Sequence, residues 1–232
     1  MIYVTSDLHG YPLKKFIKLL RKVHFTDEDY CFVLGDVIDR GNDGIKYLEW
    51  LMIQPNIQLL LGNHEAMLLA NLFLFNEVTE TEIEKLDKKQ IEFLSNWIEN
   101  GASKTISALA RCSREQIQDI IEYIKDLPIY DIILVEENKY FLSHSGLANF
   151  EKQKALEQYE IGDFLWNRPC INDTYFDDMI SVFGHTPTCF FGKEYQGKIL
   201  KTNNWIDVDT GTVAGYSPAL LRLDDMKEFY LD

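Results

Sequence analysis

Five short polar clusters in the chain each follow an apolar run of the kind that forms a β-strand. They are DLHG at 7–10, GDVIDRG at 35–41, GNHE at 62–65, SHSG at 143–146 and GHT at 184–186. Four of the five histidines of the chain lie in these clusters, and only His24 lies elsewhere. Because α/β sheets bind ligands at the carboxyl ends of their strands, we expect the clusters to meet in one site.

The side chains in these clusters suit metal coordination. Aspartate, histidine and asparagine, with no cysteine among them, form a mixed oxygen and nitrogen donor set that fits manganese, iron or zinc. Asp7 and His9 are two residues apart, so on an extended chain they point to the same side and can bind one metal ion together. Asp36 can bridge two ions through its two carboxylate oxygens. Three further residues can complete a second metal site, namely Asn63, His144 and His185.

The elements that position these clusters alternate between strand and helix over the first third of the chain. Strands are predicted at 2–5, 30–34 and 57–61, and helices at 12–23, at 44–53 and from residue 64 onward. This alternation is typical of an α/β fold with a largely parallel sheet.

The rest of the chain has a different pattern. Residues from about 77 to 127 predict helices, and Ser113 with Gln116 resembles a capping box. We interpret this segment as a helical insertion that roofs or flanks the site. Strands are then predicted at 129–135, 140–143, 181–183, 199–202, 205–208, 219–223 and 227–231. Because no stretch is rich in proline, glycine or serine as a linker would be, we predict a single domain over residues 1–232.

Composition narrows the class of protein. The net charge of −14 argues against a surface for nucleic acid or for an anionic membrane, since both need clustered lysine and arginine. The four cysteines are scattered without a CxxC pair, which indicates reduced structural thiols rather than disulfides or a zinc site. No signal-peptide pattern is present, so we expect a cytoplasmic protein.

In their order along the chain, the five clusters resemble the signature of the phosphoprotein phosphatases, a family of calcineurin-like metallophosphoesterases. The resemblance is greatest to the small bacterial and lambda-phage serine/threonine protein phosphatases. DLP at 126–128, WNR at 166–168 and VDTG at 208–211 match as well, so the resemblance extends from residue 1 to about residue 215. One motif alone would be a weak signal, whereas five in the family's order are specific. The resemblance implies a sandwich of two mixed β-sheets flanked by helices.

The resemblance also implies two divalent metal ions, with manganese as the first choice and iron or zinc as alternatives. Its first metal site corresponds to Asp7, His9 and Asp36 of this chain. Its second metal site corresponds to Asp36, Asn63, His144 and His185. A hydroxide that bridges the two ions would be the nucleophile.

Further roles follow from the same resemblance. The residues that would bind the phosphoryl group of the substrate are Arg40, Asn63 and Arg168. His64 would act as the general acid that protonates the leaving group, and Asp39 would orient it. We expect the Asp39 carboxylate to keep His64 protonated. Glu65 is interpreted only as a favourable negative charge in the first turn of a helix.

Three functions are consistent with these residues. The leading hypothesis is a protein phosphatase that acts on phosphoserine and phosphothreonine, with phosphotyrosine and phosphohistidine left open. The alternative is a dinucleoside polyphosphate hydrolase, because the symmetrical diadenosine tetraphosphatases share these motifs. A third hypothesis, a metal-stabilised regulatory protein with little turnover, is disfavoured by the presence of His64, Asp39 and both arginines.

Metal dependence is the first testable prediction. We expect excess chelator to reduce hydrolysis of nitrophenyl phosphate to the background rate, because the metal ions activate the attacking water, and we expect added manganese to restore it. Steady-state assays before and after metal replacement measure the effect. Full activity in excess chelator would contradict a metal-dependent mechanism.

Overall fold

The computed structural model describes residues 1–75 and 87–231. Its first part alternates between strand and helix, in the order β1 (Ile2–Thr5), α1 (Leu13–Lys22), β2 (Tyr30–Val33), α2 (Gly44–Leu51), β3 (Ile57–Leu59) and α3 (Asn63–Ala70). β1 pairs with β2 and β2 pairs with β3, both in parallel. This parallel arrangement is the one that the alternation of strands and helices predicts.

A helical segment follows, consisting of α4 (Lys88–Glu99), α5 (Ser103–Leu109) and α6 (Arg114–Lys125). α4 and α6 each begin with a capping box, formed by Asp87 with Gln90 and by Ser113 with Gln116. The second of these is the box predicted from the sequence. The first residues of the predicted insertion, up to residue 86, lie outside the described residues.

The remaining elements are β4 (Tyr130–Val135), β5 (Asn138–Ser143), α7 (Ile161–Leu165), β6 (Ile180–Phe183), β7 (Leu200–Lys201), β8 (Trp205–Asp207), β9 (Ala219–Arg222) and β10 (Lys227–Tyr230). Short 3-10 helices occur at Leu72–Phe75, Leu156–Gln158, Thr188–Phe190, Lys193–Tyr195 and Thr212–Ala214. All four cysteines are free. Within the described part of the chain, no helix is both long enough and apolar enough to cross a membrane.

The strands form two mixed sheets of five strands each. The first has the order β10-β9-β1-β2-β3, in which β1, β2 and β3 are parallel and β9 pairs antiparallel with both β1 and β10. The second has the order β4-β5-β6-β8-β7, in which β5, β6 and β8 are parallel and the edge strands β4 and β7 are antiparallel. The predicted sandwich of two mixed sheets with flanking helices is therefore confirmed.

A shared apolar core joins the two sheets. Val4 and Phe32 of the first sheet lie in one buried cluster with Leu142 and Val182 of the second. Alternate residues of the first sheet, such as Tyr3, face the opposite way and pack in the cluster that contains the helices. This alternation follows from the two-residue repeat of a strand, and it fixes which face of each strand meets the other sheet.

The carboxyl ends of the strands bring the polar clusters together. Asp7 follows β1, Asp36 follows β2, Asn63 begins the helix after β3, His144 follows β5 and His185 follows β6. Both sheets thus contribute residues to one region, where their parallel strands end.

Candidate active site

Asp36 lies at the centre of the converging side chains. Its Oδ2 atom is 3.6 Å from Nε2 of His9, 3.8 Å from Nε2 of His64 and 3.5 Å from Nε2 of His144. Its Oδ1 atom accepts a hydrogen bond of 2.9 Å from the backbone amide of His64, which fixes the orientation of the carboxylate. One oxygen therefore faces side chains from three different clusters.

Two groups of potential metal ligands share this carboxylate. The first consists of His9, Asp36 and His64, and the second of Asp36, His144 and His185. Within each group the ligand atoms lie within 4.8 Å of one another. The first group thus contains His64 as its third member, where the sequence predicts Asp7 as the third ligand.

Asp7 lies beside His9 in this region. Its Oδ1 atom is 3.8 Å from Nε2 of His9, and its Oδ2 atom accepts a hydrogen bond of 2.8 Å from the amide of His185. Nδ1 of His9 lies 3.1 Å from the carbonyl oxygen of Ile38, which can only accept, so this nitrogen carries the proton. The Nε2 atom of His9 is then left with a lone pair directed at Asp7 and Asp36, as metal coordination requires.

In the second group, a histidine is again oriented by a hydrogen bond from its Nδ1 atom. Nδ1 of His144 donates to the carbonyl oxygen of Leu34 over 2.7 Å, so Nε2 carries the lone pair. That Nε2 atom lies 2.7 Å from Oδ1 of Asn63 and 3.2 Å from Nδ1 of His185. The predicted ligands Asn63, His144 and His185 are therefore together in the structure, with electron-pair donors directed at a common point.

The electrostatics of the site favour a bound cation. Burial raises the pKa of Asp7, and burial followed by repulsion from Glu65 and Asp7 raises the pKa of Asp36 well above its ordinary value. Burial also lowers the pKa of His9 well below its ordinary value and that of His185 to about 2. Buried carboxylates that resist ionisation and neutral imidazoles are the groups that a divalent cation stabilises in their ligating forms. The donor set therefore fits a pair of divalent metal ions.

Backbone strain is concentrated in the same loops. Six non-glycine residues of the site have positive φ angles between 40° and 68°, namely Asp7, His9, Asp36, Asp39, Arg40 and His185. Each such residue costs roughly 1 kcal/mol or more, and strain of this kind clusters where function demands a particular geometry. The surrounding contacts must therefore hold these loops in place.

Glu65 supplies much of that hold. Its carboxylate is fully buried and accepts hydrogen bonds from the amides of Asp36 at 2.8 Å, Val37 at 2.9 Å and Ile38 at 3.3 Å. Glu65 lies in the first turn of α3, as predicted, and it has a further role, because its carboxylate binds the loop that carries the central ligand. The position of Glu65 inside the GNHE cluster was the only sequence signal for this role.

The helical segment holds Asp39 and Arg40 in position. Asp39 accepts hydrogen bonds from Nε1 of Trp97 in α4 at 2.8 Å and from Oγ1 of Thr105 in α5 at 2.5 Å. Its Oδ2 atom lies 2.5 Å from Nδ1 of His64. Arg40 is held by the same segment, since its amide donates to the carbonyl oxygen of Gly101 over 3.0 Å. Trp97 and Thr105 are site residues that the sequence analysis did not identify.

The protonation of His64 differs from the sequence-based expectation. Burial, and then the positive charge of Arg40, lower the pKa of His64 to about 2. Nδ1 of His64 donates to Asp39, while its Nε2 atom accepts from Nη2 of Arg40 at 3.2 Å. The expectation that Asp39 keeps His64 protonated is therefore wrong for this arrangement, in which Arg40 opposes the charge.

A cavity of about 250 Å3 opens onto these residues. Arg40 and Arg168 both line it, and Nη1 of Arg168 donates to the carbonyl oxygen of His185 over 3.1 Å. Two exposed aromatic side chains also line the cavity: Trp166 is 45% exposed and Phe190 is 72% exposed. The cavity therefore combines exposed guanidinium groups with a floor of potential metal ligands. Such a combination can bind and polarise a phosphate group.

Comparison with known proteins agrees with this chemistry. The family model described as calcineurin-like phosphoesterase matches residues 1–210. A symmetrical bis(5'-nucleosyl)-tetraphosphatase of Buchnera aphidicola is 39% identical over 162 residues, which cover 67% of this chain and 49% of the relative. A serine/threonine-protein phosphatase 2 of Salmonella typhimurium is 25% identical over 213 residues, which cover 91% of this chain and 87% of that protein.

Length and fold add two facts. The chain spans about half the length of the curated tetraphosphatases that it matches. A solved protein serine/threonine phosphatase of Saccharomyces cerevisiae aligns with a TM-score of 0.60 at 14% identity, covering 100% of this chain and 80% of the other. At this level of identity, the structural similarity supports the fold alone.

The contacts of Asp39 generate a testable prediction. Thr105→Val keeps the shape of the side chain but removes the donor to Oδ1 of Asp39 and the acceptor for its amide, so two buried polar groups lose a partner. We expect the free energy of unfolding to fall by about 1–3 kcal/mol in urea titrations. Ser107→Ala, at an exposed position of the same helix, is the control and should change stability by less than about 0.5 kcal/mol. Equal stability of the two variants would contradict the role of Thr105.

Proposed function

The chain belongs to the calcineurin-like phosphoesterase family, and we propose that it hydrolyses phosphoric esters or anhydrides at the site around Asp36. The observation that carries the proposal is the position of Asp36, whose carboxylate belongs to two groups of potential metal ligands at once. We propose that Asp7, His9 and Asp36 bind one metal ion. We propose that the second ion is bound by Asp36, Asn63, His144 and His185.

The proposed identity of the metal ions rests on the donor set. Oxygen and imidazole ligands without a thiolate support manganese as the first choice, with iron or zinc as alternatives. When bound, two such ions supply Lewis-acid activation of a water molecule and neutralise charge on the phosphoryl group.

The chain's own residues bind and orient the phosphoryl group. Arg40 and Arg168 face the cavity, and their planar guanidinium groups suit phosphate oxygens. Asn63 lies in the same cavity and has an amide NH2 that can donate to a third oxygen. These positive and neutral donors allow an anion to bind within a protein whose net charge is −14.

We propose that His64 donates a proton to the leaving group from Nε2, since Nδ1 is bound to Asp39. The positive charge of Arg40 opposes protonation of His64. A phosphoryl group that pairs with Arg40 neutralises that charge and places a negative charge near the imidazole of His64. Substrate binding thereby favours the protonated form that the reaction uses. Because α4 and α5 hold Asp39, we propose that the helical segment belongs to the same domain as the two sheets.

The substrate class is proposed from the relatives. The higher identity is to symmetrical tetraphosphatases, which supports a dinucleoside tetraphosphate as the substrate. This was the alternative hypothesis in the sequence analysis. The second candidate is a phosphoprotein, the leading hypothesis there, because the match to the serine/threonine phosphatase covers nearly the whole of both proteins.

A substrate comparison tests the proposed function. In manganese buffer we expect kcat/KM for diadenosine tetraphosphate to exceed that for a phosphoserine peptide by at least about tenfold, with two molecules of ADP as products. Nitrophenyl phosphate serves as the control for a competent metal site. The reverse order would favour the phosphoprotein candidate, and the absence of hydrolysis of all three compounds would refute a hydrolase.

The proton-donor role of His64 makes a separate prediction. His64→Asn should lower kcat for an alkyl phosphate by about 100-fold or more, because the poor leaving group needs the proton, while nitrophenyl phosphate should be affected less. The control is His24→Asn at an exposed position with a φ of 56°, which asparagine tolerates. Metal content should be unchanged in both variants. An equal loss of rate with both substrates would rule out proton donation by His64.

A further inference from the structure

A second cavity of about 410 Å3 adjoins the site. It lies between the loop after β1, the loop that carries Arg40, and the 3-10 helix that contains Val213. The two cavities share His9, Arg40 and Val213 as lining residues. A ligand whose phosphoryl group lies against Arg40 can therefore extend from the first cavity directly into the second. The volume of the second cavity is in the range that accommodates small-molecule ligands.

Tyr11 gives this cavity an aromatic wall. The residue is half-buried, and its hydroxyl lies 3.1 Å from Oγ of Ser217, on the segment before β9. The ring is thus held at its far end, so a planar ligand group can stack on it at a small cost in side-chain entropy. Nζ of Lys15 lies 5.8 Å from the centre of the same ring.

Helix α1, which begins beside this cavity, has an unusual charge distribution. It has five basic and no acidic residues among its ten positions, within a chain that has 37 acidic and 23 basic residues. At 100° per residue the five lie within an arc of about 120°, opposite the side that packs in the core. We call this the basic face; its members are Lys14, Lys15, Lys18, Arg21 and Lys22.

The first turn of the basic face follows directly on Tyr11 and Pro12, which line the cavity. The amide of Leu13 donates to Oδ2 of Asp43 over 3.0 Å, which fixes the start of α1 against the Arg40 loop. Asp43 is the acidic residue in the cavity wall, and Nζ of Lys46 lies 2.5 Å from its other carboxylate oxygen. Its negative charge is therefore already paired, and Lys14 and Lys15 add positive charge at the edge of the cavity.

We propose that the second cavity and the first turn of the basic face bind the part of a nucleoside polyphosphate that extends beyond the scissile phosphorus. The additional phosphates lie against Lys14 and Lys15, and the base stacks on Tyr11. This proposal rests on the proposed function, since it defines how that site distinguishes a polyphosphate from a simple monoester. Inorganic phosphate and nitrophenyl phosphate have no second phosphate that could lie against these lysines.

The test compares two double variants that remove the same charge. Lys14→Gln/Lys15→Gln changes the first turn of α1, and Lys88→Gln/Lys89→Gln changes the first turn of α4, where the two lysines are exposed and line neither cavity. Diadenosine tetraphosphate and inorganic phosphate are each used as inhibitors of nitrophenyl phosphate hydrolysis at constant free manganese. Tyr11→Leu is measured in the same way, with tripolyphosphate as an added inhibitor.

We expect Lys14→Gln/Lys15→Gln to raise the ratio of the two inhibition constants, tetraphosphate over phosphate, about 3- to 10-fold, and the α4 variant to leave it unchanged. The effect should shrink at high salt because the lysines are exposed. Tyr11→Leu should weaken the tetraphosphate but not tripolyphosphate, which has no base. Together these results would support the second cavity as a polyphosphate subsite.

An identical ratio in the two double variants would overturn the proposal, as would a wild-type protein that the tetraphosphate inhibits no better than phosphate does. A larger effect on inhibition by an acidic phosphopeptide would also overturn it, because the surface would then serve protein substrates. Inhibition does not require cleavage. Failure of the wild-type protein to cleave the tetraphosphate would therefore count against the proposed function without deciding the fate of this subsite.

Discussion

Four carboxylates buried within one region are the constraint on which the rest of the structure depends. Asp7, Asp36, Glu65 and Asp209 are each at most 2% exposed, and burial raises the pKa of every one. A protein can hold such a cluster only if donors surround it. The amides of the strained loops supply part of the compensation, and divalent cations with two exposed arginines would supply the rest. The fold places these donors around the carboxylates, because the parallel strands of both sheets end in this region.

Much of this arrangement could be predicted from local sequence. The positions of the first three strands and helices follow from periodicity to within two residues, and the predicted ligands converge because parallel strands share a carboxyl edge. The order of the motifs was sufficient to predict the family. The substrate class was harder to predict, because the same metal ligands serve monoesters and anhydrides alike. The subsite that we propose for this discrimination lies in the wall of the second cavity rather than in the motifs.

Two kinds of feature could not be predicted. One is contact between residues far apart in the sequence, and the other is a local charge cluster that the net charge of the chain hides. Trp97 and Thr105 lie 58 and 66 residues from Asp39, and nothing in the local sequence around either residue connects it to Asp39. The pKa of His64 is lowered by burial and then by the charge of Arg40, and neither the burial nor the contact with Arg40 is revealed by spacing along the sequence. The total charge of −14 conceals the basic face of α1, because a sum over the whole chain does not describe the charge of a single helix.

The hydrogen bonds between Asp39 and the helical segment have a consequence for how the protein fails under stress. Trp97 and Leu109 of these helices lie in the same buried cluster as Tyr3 of the first sheet, so the hold on Asp39 and the outer face of that sheet belong to one packed unit. Opening of α4 and α5 would free the Asp39 carboxylate and expose the apolar face of the first sheet at the same time. The working lifetime of the site is therefore coupled to the cooperative unit that these helices form with the first sheet.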